Sequence, residues 1–177
     1  MSLPVDILVK EHKLILQAIN RLKTENRKIQ TSEAVNPNFI AAAVDFLRTY
    51  ADRFHHGKEE GILFKELSQK KLNEKDNKTM NELILEHAFA RRTVTALESA
   101  KEKWISGDKQ ALKEVLDLTA ALIKLYPAHT EKEDKHFFYP CMEYFSPAER
   151  QSMLTSFLAF NQNFTDKRYK QIIDSLQ

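Results

Sequence analysis

Apolar residues return at every third or fourth position along most of the chain, the spacing of one buried face of an α-helix. Val5, Leu8, Ile15, Ile19 and Leu22 form the first such stripe. It predicts a helix from about Pro4, a proline near a helix start, to about Lys28. A turn-like SEAVNPN follows, and Ile40, Ala43, Leu47, Tyr50 and Phe54 lay out a second stripe in a segment from about Pro37 to Leu72. The polar NEKDNK closes that segment. A third helix, about Lys78 to Ile105, carries Met80, Leu83, Ala90, Val94 and Leu97, with Gly107 as its stop signal. A fourth, about Lys109 to Tyr144, carries Val115, Leu118, Leu122 and Tyr126, and Pro127 is expected to kink it. SPAE at 146–149 reads as a helix start, with Ser146 as N-cap and Pro147 in the first position. The helix it opens runs to about Leu176, with Met153, Phe157, Phe160 and Phe164 as its stripe.

Four long helices joined by short loops predict an all-α, up-down-up-down four-helix bundle over about residues 4–144. An additional C-terminal helix, about 147–176, packs on it within a single domain spanning 1–177. Composition agrees: 177 residues hold only three glycines and five prolines, and such a length buries a substantial core without disulfides. The formal charge of +2, with signs interspersed, gives no footprint for nucleic acid or a membrane surface. The lone Cys141 rules out an intrachain disulfide framework and a Cys-rich zinc site. No stretch approaches the roughly 20 apolar residues of a membrane span, and no signal-peptide apolar region opens the chain, so a cytoplasmic location is the expectation.

The stripes also contain histidines. His12 falls on the first, His87 on the third, and His55 and His129 follow the rows of the second and fourth. A core-facing imidazole costs desolvation unless its ring nitrogens are bonded, and four of them, one per helix, ask for a common cause. An internal repeat supplies one. The Glu-His pair of VKEH, Glu11 and His12, returns 75 residues later as Glu86 and His87 of ILEH. His55, Glu59, Glu60 and Phe64 return 74 residues later as His129, Glu133, Asp134 and Phe138. Each half is therefore a helical hairpin giving one histidine from its first helix and a His-x-x-x-Glu pair from its second.

Residues four apart on a helix lie about 40° apart around the axis and about 6 Å along it, so His and Glu at that spacing reach one site. His56 and Glu60 share the spacing but point about 100° further round, and Thr130 and Asp134 are their counterparts. Asp134 reaches the face of His129 only if a bulge widens the helix. The set selected is His12, His55, Glu59, His87, His129 and Glu133. Two imidazole pairs and two carboxylates suit two first-row metals bridged by Glu59 and Glu133, with a solvent-derived oxo or hydroxo bridge and an open position for oxygen, peroxide or another small ligand. Imidazole and carboxylate without thiolate favour a pair of iron ions over manganese or zinc. A structural zinc site closes at four ligands and has no use for six.

FHHGKEEGILF (54–64) and HTEKEDKHFF (129–138), each preceded by a helix bearing Glu-His, resemble the His-His-Glu cation-binding motifs of the hemerythrin-like domain family. The resemblance covers about Pro4 to Tyr144. It implies a four-helix bundle with a non-haem di-iron centre, in a family of oxygen carriers, oxygen or redox sensors, and proteins of iron-sulfur repair and nitric oxide chemistry. Its ligands, carried over, are the same six residues. One departure bears on function: where the oxygen carriers place a fifth histidine, four residues after the third-helix histidine, this chain has Arg91. A more symmetric site with fewer histidines argues against oxygen carriage, and the cysteine-bearing N-terminal extension of the repair proteins is not present in this sequence. Three functions stay open: a protein that binds, stores or senses oxygen or a related oxidant; an oxidoreductase acting on oxygen, peroxide or nitric oxide; and a bundle without redox metal that recognises another protein.

The neighbours of the six carry weaker expectations. Arg91 reads as a structural ion pair and Tyr126 as packing beside the site. His56 and Glu60 are expected in solvent or behind the ligands, and Lys58 on the solvated face. His136 is expected in the core or at the mouth of the site, and Cys141 has no assigned role. Gly57 and Gly61 each weaken a helix by about 1 kcal/mol, offset by packing or exchanged for room beside the metals. The aromatic stripe of the fifth helix is expected to pack on the bundle, with a homodimer interface as its rival.

Overall fold

The computed structural model describes residues 3–162. Helix α1 (Val5–Ser32) outruns its expected end because its polar last turn contains no glycine or proline; it stops where Glu33 turns left-handed at φ 51°. Asn36 then caps the second rod, its side chain accepting from the Phe39 N–H, with Pro37 in the first position. This rod, α2, begins as an α-helix (Pro37–Phe46) and widens into π-helical turns over Leu47–His56 and Glu59–Phe64. It ends in a single α-turn, Lys65–Leu67.

Helix α3 (Glu74–Ile105) starts earlier than the stripe suggests. Asn73 caps it by accepting from the Asp76 N–H, and Glu74 and Asp76 place negative charge at its positive N-terminal end. NEKDNK is thus a cap and a first turn. Gly107, at φ 97°, provides the left-handed stop that an L-residue reaches only with strain. The fourth rod, α4, runs as an α-helix over Ala111–Lys132 with Pro127 inside it. It then widens at Glu133–Phe137, a π-helical stretch, before a short α-turn (Phe138–Cys141) and a 3₁₀ turn (Met142–Tyr144). Ser146 and Glu149 then form a capping box at the head of α5 (Pro147–Asn161). The expected continuation to Leu176, with Phe164, lies outside the described residues.

Each rod packs on its neighbours in sequence and α1 closes the ring against α4, as an up-down-up-down bundle requires. No strand occurs among the described residues, and no described helix is long and apolar enough to cross a membrane. Helix α5 lays Met153 and Phe157 into the bundle, so those two residues of its stripe pack inward.

The core has two parts. One apolar cluster contains Ile15, Leu22, Phe46, Leu97 and Leu122 among others. The second contains Leu8, Leu63, Leu83, Phe138 and Phe157. Between them lies a layer of buried histidines and glutamates, and all three π-helical stretches pass through or beside it. Such turns concentrate at functional sites because each adds a residue to the helix circumference and re-aims the side chains that follow.

Candidate metal centre

Four buried imidazoles turn their Nε2 atoms toward one another. Those of His12 and His55 lie 2.8 Å apart, and those of His87 and His129 3.2 Å apart. Each ring is fixed from behind, through Nδ1, by a carboxylate: His12 by Asp134 at 2.7 Å, His55 by Glu11 at 2.8 Å, His87 by Glu60 at 2.7 Å and His129 by Glu86 at 2.8 Å. With Nδ1 donating its proton outward, each neutral ring presents a bare Nε2 lone pair to the centre. Two lone pairs at such distances repel unless a proton or a cation stands between them.

Glu59 and Glu133 lie inside this ring of nitrogens. Both are wholly buried, and all four of their carboxylate oxygens lack a hydrogen-bond partner among the described residues. Glu59 reaches both halves, with Oε1 3.1 Å from His55 Nε2 and Oε2 3.3 Å from His87 Nε2. Glu133 Oε2 lies 3.2 Å from His12 and 3.3 Å from His129. Four carboxylate oxygens without hydrogen bonds, set among four imidazole nitrogens, form a donor set for protons or a cation; a buried carboxylate with neither costs several kcal/mol.

Potential donor atoms fall into two groups, each with atoms within 4.8 Å of one another. One is His12, His55, Glu59 and Glu133, and the other is His56, Glu59, His87 and His129. The six residues selected by spacing are all brought together, and His56 joins them. Burial overturns the solvated alternative for His56: it is 1% exposed, and its ring stacks on His87 at 3.8 Å and 13°. The π-helical turns over Leu47–His56 reduce the angle between successive residues without removing it, and His56 enters the second group while His55 belongs to the first. The fifth imidazole thus comes from α2, and the two groups are unequal. Arg91, in the place where the oxygen carriers have theirs, pairs with Asp52 at 2.8 Å and Glu60 at 2.7 Å, a half-exposed ion pair.

Lys58 is the second correction. It is fully buried, where the solvated face was expected, and donates to Glu11 Oε1 at 2.5 Å while lying 3.3 Å from the centre of the Phe54 ring. Its counterpart 74 residues on, Lys132, donates to Glu86 at 2.6 Å. Each hairpin therefore repeats a Lys-Glu-His relay, and that lysine repeat was present in the sequence but unused. Glu60 and Asp134 stand behind the ring as hydrogen-bond partners, while His136 is exposed and away from it. Cys141 is buried, its thiol pushed up by burial.

The electrostatics show what a cation would displace. Burial opposes charge on His12, yet its bond to Asp134 and the adjacent Glu133 carboxylate raise it from the ordinary 6.5 to about 10. His87 rises likewise, against burial, to about 9 through the nearby Glu133 and its bond to Glu60. Burial would push Glu133 up, but the imidazoles of His129, His12 and His87 close around it hold it well below its usual range. Burial and the surrounding cationic rings keep His56 neutral. Protons on His12 and His87 thus stabilise the metal-free fold. That contribution is complete below about 6.5 and lost as pH rises through about 9 and about 10. Metal-free protein is expected to lose urea stability between roughly pH 7 and pH 10, while metal affinity climbs as those protons become easier to expel. A urea midpoint that rises over this interval would contradict the assignment.

Comparison with curated proteins and with solved structures returned no match. The family model described as "Hemerythrin HHE cation binding domain" matches residues 3–141, which contain every residue of both donor groups. The chain belongs to the hemerythrin HHE cation-binding domain family.

Proposed function

We propose that this chain holds two iron ions in the buried cluster and uses them to bind oxygen or a related small oxidant, in a sensing, storage or redox role. The observation that carries the reading is the set of four carboxylate oxygens on Glu59 and Glu133 without hydrogen bonds among the described residues, set among four imidazole Nε2 atoms. His12 and His55 would hold one ion and His87, His129 and His56 the other, with Glu59 and Glu133 spanning both. Nitrogen and carboxylate donors without thiolate suit iron, with manganese and zinc as competitors. Bound iron supplies a ferrous/ferric couple and a coordination position for a small molecule.

The chain's own residues set access. A cleft lined by Leu47, Asp52, His56, Arg91, Val94 and Tyr126, with Arg48 and Ala90, leads from the surface to His56. Its free volume is about 20 Å³, room for about one water-sized molecule. Arg91, tethered by Asp52 and Glu60, stands at the mouth. Tyr126 is buried in the wall. Burial and the nearby Asp52 push its phenol up, so the hydroxyl stays protonated and able to donate to an incoming ligand.

Oxygen exposure of the ferrous-loaded protein tests the role. A spectral change that reverses under argon, without net oxidant consumption, is the expected result for binding. Sustained consumption of oxygen or peroxide over many turnovers would instead establish the oxidoreductase reading, and no spectral response to any of them would overturn both.

A further inference from the structure

The two Lys-Glu-His relays are alike in sequence and differ in what lies outside them. In the second hairpin, Lys132 reaches Glu86 and Glu82 at a partly exposed position, with a side-chain exposure of 27%. In the first, Lys58 is wholly buried, and Asn161 of α5 is among its partners, its Oδ1 accepting from Lys58 Nζ at 2.8 Å. Phe160, the preceding residue, lies 6.3 Å from the Phe54 ring and close against Gly57, where an added Cβ would meet its Cζ at 3.3 Å. Helix α5 begins beyond the segment matched to the family, at Pro147. It is therefore an addition that covers one end of one relay.

We infer that α5 is part of the metal centre's support, with Asn161 a positioning residue that acts through Lys58 and Glu11 to hold the His55 ring for the ion at the His12/His55 position. The inference rests on the metal-binding reading above. An ammonium buried without solvent needs fixed acceptors, and Asn161 fixes Lys58 on the side away from Glu11. Lys58 then holds Glu11 Oε1, leaving Oε2 on His55 Nδ1 and the Nε2 lone pair directed inward. Such outer partners govern ligand orientation and ion retention. The consequence is that the two ions differ in lability for different reasons, one controlled from α5 and the other from the partly exposed Lys132.

Cobalt(II) release to excess chelator, followed by the visible cobalt spectrum, reads this directly in the full chain. Wild type should lose two ions in two phases. Asn161→Leu should accelerate one phase roughly tenfold, toward the lower end of what outer hydrogen bonds contribute. Asn161→Asp, which keeps the acceptor, should restore the slow rate, and Lys132→Met should accelerate the other phase. The melting temperature of metal-free Asn161→Leu should stay close to wild type, because Met153 and Phe157 keep α5 docked. Wild type that loads no cobalt overturns the metal-binding reading itself. Wild type that loads two ions, with both phases unchanged in Asn161→Leu or both accelerated equally, overturns the inference alone.

Discussion

Replacing Glu133 with alanine is expected to take the protein from two retained ions per chain to none after desalting. Glu133 is shared between the halves: its Oε2 faces His12 and His129, and its Oε1 lies 3.9 Å from His87. Removing it withdraws an anionic donor from both positions and leaves the two ions closer in net repulsion, with Glu59 as the one remaining carboxylate between them. The metal-free fold should tolerate the change, since an orphaned buried carboxylate disappears and His12 keeps its bond to Asp134. Metal analysis after desalting, beside the melting temperature of the metal-free variant, separates loss of the site from loss of the fold. Glu133→Ala that folds and keeps both ions would remove Glu133 from the site.

The second large effect is thermal. A ligand that binds only the folded state at 1,000 times its dissociation constant contributes about 4.1 kcal/mol per site. For a chain of this length each kcal/mol raises the melting temperature by about 2–4 °C. Loading one position should therefore add roughly 8–16 °C, and the second should add to it. Stabilisation on this scale follows from the metal-free state, in which Glu59 and Glu133 are buried without hydrogen bonds. Thermal melts of chelated and anaerobically ferrous-loaded protein measure it. A melting temperature no higher than that of the chelated protein under saturating ferrous, manganese or zinc ions would show that the cluster holds no metal.

Much of this arrangement was readable from periodicity and repetition. Stripe positions placed His12 and His87 inward, and the repeat paired His55 and Glu59 with His129 and Glu133, all of which meet in the buried layer. Capping chemistry at Ser146 and the stop at Gly107 are local and emerge as expected. What the pattern concealed depends on helix width. His56 points about 100° round from His55 on a regular α-helix, and in the π-helical turns of α2 the two serve neighbouring donor groups. Asp134 reaches His12 from the π-helical stretch after Lys132, the bulge that the sequence allowed without requiring. No residue type announces such a turn. Lys58 was misread for another reason: its burial depends on Asn161 and Phe54, contacts made across the tertiary fold. NEKDNK, read as a connector, shows local chemistry underused, because Asn73 followed three residues later by Asp76 is a helix start.

The most direct test of the central claim is anaerobic titration of the metal-free chain with ferrous iron, followed by metal analysis of the desalted protein. Two ions per chain, bound with release of protons from the buried histidines, is the predicted result. Failure to retain iron, or retention of a single zinc ion when zinc is supplied alongside, would contradict a di-iron centre and leave the layer of histidines and glutamates as a structural feature of the bundle.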